Sequence, residues 1–235
     1  QAIPSDAFFL NKAAILLGIG FALLVGVFPF HSWIPRFSGS AHPLVSGFLF
    51  SVLPTTMLFI IVDFIFGLTW LRESAALFSV VRVIGSLMVV TGGILFAVEK
   101  DVKRMMGLIV QFETGAALLL LSFSDAHHQS LFYLSFLPRI AGVALLGYTL
   151  SIFQSKNQSL KLTDLKGSLR QVPFASVGLI MSLLSLLGFP LLGSFPIKME
   201  IILSFAGEIR GLLWFLVGCT GVLIGIYRIL INISK

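Results

Sequence analysis

The sequence predicts an all-α fold, a polytopic membrane helix bundle of about seven to eight transmembrane segments with two broken helices. Three observations carry this. Of 235 residues, 57% are hydrophobic and only 11% charged, with a mean hydropathy of +1.03, where a soluble domain carries about 25% charged residues. Several near-uncharged runs reach the roughly 20 residues that a helix needs to cross a bilayer. They lack the period-two alternation of barrel strands, so the spans are helices.

Taken in order, the spans are expected over 8–28, 43–66, 75–98, 105–123, 131–153, 174–187, 195–205 and 212–231. The whole chain, 1–235, reads as a single transmembrane domain, with one long polar loop at 154–172. That loop, SKNQSLKLTDLKGSLRQ at its heart, is expected to hold a short surface helix, with charges that solvate it and set orientation. Two places are irregular: FPFHSWIP (28–35) and GFPLLGSFP (188–196) each put two prolines in an apolar setting. Proline removes a backbone donor and clashes with the preceding turn, so both are expected to break helices. One early and one late interrupted segment point to an inverted-repeat transporter whose ion path runs through the breaks. Two ordinary interhelical turns would look the same in sequence.

If the spans alternate, Arg36, Lys100, Lys103, Arg104, Lys156, Lys161, Lys166 and Arg170 gather on one side, leaving mainly Arg72 on the other. The basic side is expected to face the cytoplasm, or the matrix of a mitochondrion. The net charge of +6 is thus accounted for by loops, and nucleic acid is not an expected partner. The one cysteine, Cys219, lies in the last apolar run and gives neither a disulfide framework nor a metal-ligand spacing. The chain opens with Gln1 rather than methionine, and its first apolar run is not followed by the small-residue site of a cleavable signal peptide.

Ionisable groups inside spans are rare and mark function. Glu113 sits mid-span in GLIVQFETGAALLLL, where a carboxyl is protonated or paired because burial disfavours its charge. Arg139, after Pro138, keeps its charge at ordinary pH and can tune a proton carrier without being one. Lys198 and Glu200 follow the break at Pro196. Lysine can lose its proton when desolvated and so can relay one, but a lysine near a helix end can equally snorkel to the headgroups. His31, inside the first break, could pass a proton between its two nitrogens or simply bond the loop. Asp63 and Arg82 are expected at the interface, and His42, His127 and His128 in surface loops. No glycine-rich phosphate loop or Cys/His cluster occurs, so no cofactor is expected on this chain.

Five segments, FPFHSWIPRF (28–37) with HPLVSGFLF after it, EKDVKRMMG (99–107), LPRIAGVALLG (137–147), GFPLLGSFPIKMEIIL (188–203) and YRI (227–229), together resemble the antiporter-like membrane subunits of respiratory complex I. They are similar also to the related subunits of multisubunit cation/proton antiporters. Their order and spacing match the C-terminal two-thirds of such a subunit over nearly the whole chain.

The resemblance implies an ion-translocating module whose mid-membrane charges exchange protons through water, coupled to a redox arm. Lys198 falls on the lysine after the second helix break that serves proton transfer, Arg139 where the family has a lysine, and Glu113 where it often has a glutamine. Departures stand beside these matches. Arg36 replaces a usual aspartate, Leu24 replaces the lysine of the first broken helix, an apolar or helix-breaking residue around Phe50–Pro54 replaces the next ionisable group, and the N-terminal helices with their glutamate–lysine pair are missing. The resemblance implies a non-redox subunit of a proton-translocating NADH (or ferredoxin):quinone oxidoreductase, pumping or degenerate, with no catalytic centre on this chain. A cation/proton antiporter subunit or a non-pumping scaffold are the alternatives. Expected partners are other hydrophobic membrane-arm subunits, the lipid bilayer and, indirectly, the redox arm. The expected location is the bacterial plasma membrane, with the mitochondrial inner membrane or thylakoid as alternatives.

Overall fold

Helix α1 (Pro4–Val25) stops where Gly26 turns to φ 69° in the computed structural model, which describes residues 4–123, 125–156, 160–205 and 207–234. Gly26 donates its N–H to the Leu23 carbonyl (3.3 Å) and Val27 to the Ala22 carbonyl (2.9 Å), the Schellman pair that only a left-handed residue allows. A 3-10 turn at Phe30–Ser32 then leads into α2 (Trp33–Ser40), with Pro35 in its first turn, where a missing N–H costs nothing. The His42 imidazole caps α3 (Pro43–Gly67) by accepting from Leu44 N–H at 3.3 Å. A single turn, α4 (Thr69–Arg72), precedes α5 (Ala75–Val98).

Helix α6 (Val102–Ser122) starts at an Asp101 cap, whose carboxylate accepts from Lys103 N–H at 2.9 Å. Every residue from Met105 to Ser122 is buried, because α2, α3, α5, α7, α9 and α10 all touch it. A helix apolar on nearly every side has no surface to give to solvent, and here α6 is the axis of the bundle. Around it run α7 (Ala126–Lys156), α8 (Ser168–Gln171), α9 (Pro173–Leu187), α10 (Phe195–Ser204) and α11 (Ile209–Ser234). Glycines allow the closest crossings: a Cβ on Gly47 of α3 would lie 2.8 Å from the Gly147 Cα of α7, and one on Gly93 of α5 2.7 Å from the Gly218 Cα of α11. Without a hydrophobic driving force between helices in lipid, such backbone proximity supplies the packing attraction.

The eight expected spans are redrawn at one place. Six helices among the described residues are long and apolar enough to cross a membrane, whereas α9 and α10 have 15 and 10 residues and neither crosses alone, since a crossing takes about 20. They are two halves of one interrupted path. Between them Gly188, at φ 87°, donates to the Ser185 carbonyl (3.1 Å) and Phe189 to the Leu184 carbonyl (3.0 Å), the same Schellman pair that ends α1. Pro196 then sits in the first turn of α10.

The two ends of the bundle differ in charge as expected. At one end Ser38 Oγ of α2 donates to the Lys103 carbonyl of α6, and Arg228 of α11 donates to the carbonyls of Ala97 and Glu99 (3.0 Å to the latter). Segment 160–171 docks there too, with Val102 N–H on the Leu160 carbonyl and Leu162 N–H on the Lys100 carbonyl, both at 2.9 Å. This segment does more than solvate itself: Leu160, Leu162 and Leu165 are buried. Residues 157–159 of the expected loop lie outside the described residues. The opposite end holds Arg72 and also Arg82, bonded to Glu208 at 3.0 Å. His127 and His128, expected in a loop, lie in the first turn of α7.

Candidate functional site

Near the midpoint of α6, the Glu113 carboxylate accepts from Lys198 Nζ at 2.7 Å. Each residue is only 5% exposed. Lys198 therefore does not snorkel; its ammonium ends inside the bundle, where an ion pair must be bonded to persist. Lys198 Nζ also lies 5.1 Å from the centre of the Phe112 ring, a cation–π contact on a second side.

The second break delivers this lysine. Gly188 is needed twice, for its left-handed φ and because a Cβ there would lie 2.9 Å from Lys198 Cβ and overlap its Cγ. Lys198 begins the intrahelical ladder of α10, its N–H bonded to the Ser194 carbonyl at 3.0 Å. The pair thus sits at the N-terminal end of a helix, whose dipole favours the Glu113 carboxylate.

Arg139 joins from α7. It is 1% exposed, and its Nη2 donates to Thr114 Oγ1 at 2.7 Å, one residue along α6 from Glu113. Its Nε and Nη1 have no hydrogen-bond partner among the described residues. Gln111 Nε2 donates to Thr91 Oγ1 of α5 at 2.8 Å. Beside the pair, a cavity of about 10 Å³, lined by Glu113, Ser135, Ser194 and Lys198 among others, is about the size of one water. One carboxylate thus faces two cations. Arginine holds its proton under all ordinary conditions, so Arg139 is a fixed positive charge in this centre.

Lys198, Glu113 and Arg139 are therefore brought together, while Glu200 and His31 are not. Glu200 faces the far end, 3.5 Å from His127 Nε2. His31 is at the basic end, stacked on Phe28 at 5.4 Å between ring centres. Asp63 is exposed near the end of α3, and Arg82, half-buried near the start of α5, pairs with Glu208. Sequence reading missed Thr91, Gln111, Thr114 and Ser194. Hydroxyl and amide residues are common in such helices, and only position shows that Thr114 and Ser194 adjoin the centre while Gln111 and Thr91 bond α6 to α5 within the same turn. Among the described residues no group of three or more His, Cys, Asp or Glu could hold a metal.

The family described as NADH:quinone oxidoreductase/Mrp antiporter, transmembrane, matches residues 5–225. NADH-quinone oxidoreductase subunit N 1 of Opitutus terrae is 28% identical over 234 residues, covering 96% of this chain and 45% of that protein. A hydrogenase-4 component F homolog of Methylacidiphilum infernorum is 25% identical over 197 residues, 81% of this chain and 40% of that protein. Among solved structures, the Mrp complex of a Dietzia species shares the fold with a TM-score of 0.86 at 20% identity, over 95% of this chain and 42% of that one. Respiratory complex I of Thermus thermophilus gives 0.75 at 21%, over 94% and 48%. The chain spans less than half the length of each of these relatives. It is an integral membrane protein, and it belongs to the NADH:quinone oxidoreductase/Mrp antiporter membrane family.

Proposed function

We propose that the chain is a membrane-arm subunit of a complex I-like oxidoreductase and that the Lys198–Glu113 pair takes up and releases protons within it. The observation that carries this is the pair itself: a lysine and a glutamate, both buried, bonded at 2.7 Å where a helix is interrupted inside the bundle. A buried pair gains little stability over apolar residues of the same size, whereas ionisable groups at this depth mark ion paths. When Lys198 is protonated, Glu113 balances it and Arg139 is in excess. When Lys198 gives its proton away, Glu113 remains for Arg139 and the centre is neutral.

His31 and Glu200 serve, in this reading, nearer the two membrane faces, since each lies toward an opposite end. The basic end faces the cytoplasm, and the bacterial relatives support a bacterial plasma membrane. The partners are other hydrophobic membrane subunits, with redox centres on other chains.

The test is Lys198→Met in the assembled complex, with proton pumping and electron transfer measured side by side. Pumping should fall severalfold more than electron transfer; unchanged pumping in a normally assembled complex would sink the relay. Similarity to an Mrp complex supports a second reading, a cation/proton antiporter subunit. Purification separates the two, because iron–sulfur and flavin subunits co-isolate only in the first.

A further inference from the structure

At the basic end a cleft of about 230 Å³ opens between α2, the end of α5 and the start of α6, lined by His31, Arg36, Leu95, Val98, Glu99 and Arg104 among others. Its polar half carries two guanidiniums against one carboxylate. Glu99 is largely committed to its own turn, accepting from the N–H groups of Lys100 (2.8 Å) and Asp101 (3.2 Å), and it reaches Arg104 only at 3.8 Å. Arg36 is exposed and forms no ion pair among the described residues. His31 also lines the cleft.

The other half is apolar. Leu95 and Val98, 41% and 63% exposed, line it from one side of the last turn of α5, with Leu108 of α6 beside them. A ligand that uses both halves has an anionic group beside the arginines and hydrocarbon along α5. Planar guanidiniums match phosphate oxygens in pairs, and basic pockets between helices at the membrane face suit anionic headgroups.

We infer that this cleft binds the phosphate of an anionic phospholipid, with acyl chain against Leu95 and Val98. A zwitterionic headgroup would bring its own cation to arginines already in excess. A free phosphate would leave the exposed apolar half uncovered. The inference is independent of proton transfer at Lys198.

Native mass spectrometry of the full chain, with whatever subunits co-isolate, titrated with phosphatidylglycerol, tests this. Wild type should retain one phosphatidylglycerol in preference to phosphatidylcholine of the same chains. The R36Q/R104Q double variant should lose about tenfold in affinity. K166Q/R170Q, which removes two exposed cations from the same end, should lose nothing, and R36K/R104K, which keeps the charge without the planar fork, should fall between wild type and R36Q/R104Q. Equal retention of phosphatidylcholine, or equal loss in K166Q/R170Q, would overturn the site. Displacement of the lipid by millimolar inorganic phosphate would overturn the lipid assignment in favour of a free anion.

Discussion

Gly188 and Lys198 share one volume: any Cβ on the glycine would lie 2.9 Å from the lysine Cβ. The interruption between α9 and α10 and the placement of the buried ammonium are therefore one structural fact. Gly188→Ala should destabilise the protein by at least about 1–2 kcal/mol from its left-handed backbone alone, and by more through the overlap. Gly20→Ala, in α1 with nothing within 4 Å, should be neutral. Thermal unfolding midpoints of the two purified variants measure the difference.

Removing one partner of the buried pair should cost more than removing both. Glu113→Leu leaves Lys198 without its carboxylate, a loss of about 3–5 kcal/mol for a broken buried pair. The double variant E113L/K198L should recover much of it while abolishing any relay. Denaturation of both variants beside wild type is the measurement; a double variant no more stable than Glu113→Leu would show that the lysine, once alone, is not what destabilises.

Arg228 ties α11 to the end of α5 through the carbonyls of Ala97 and Glu99. Arg228→Ala should cost about 1 kcal/mol, since the guanidinium is only half-buried and its bonds are partly replaced by water. Arg228→Lys should recover part of this, because one ammonium reaches both carbonyls less well than a planar fork. The unfolding midpoint again reads the order: wild type, lysine, alanine.

His128 links the start of α7 to the end of α10, its Nε2 2.5 Å from Ser204 Oγ and its Nδ1 bonded to Asp125. His128→Ala should cost about 1–2 kcal/mol for the two bonds, felt locally. Amide exchange in 201–205 should quicken about tenfold, while α6 stays protected. Exchange in α10 unchanged from wild type would show that Phe205 against Phe123 holds that end by itself.

Much of this molecule was legible in the order of its residues. The paired prolines of 28–35 and 188–196 announce the two breaks because proline cannot continue a helix; that left-handed Gly26 and Gly188 end the helices before them came from the structure. What sequence could not show is who meets whom. Glu113 and Lys198 are 85 positions apart, and nothing local tells a carboxyl on a uniformly apolar helix which neighbour it faces. The docking of 160–171 was hidden for a related reason: Leu160, Leu162 and Leu165 are spaced among lysines, so the segment's average polarity masked a buried edge.

Gln111, Glu113 and Thr114 occupy little more than one turn of α6, and each reaches a different helix: Thr91 on α5, Lys198 on α10, Arg139 on α7. Because all three hang from one rigid turn inside a fully enclosed helix, they share a single rotational coordinate. A twist of α6 would therefore bear on all three links at once, and the helix that carries the buried carboxylate is pinned to α5, α7 and α10 within one turn.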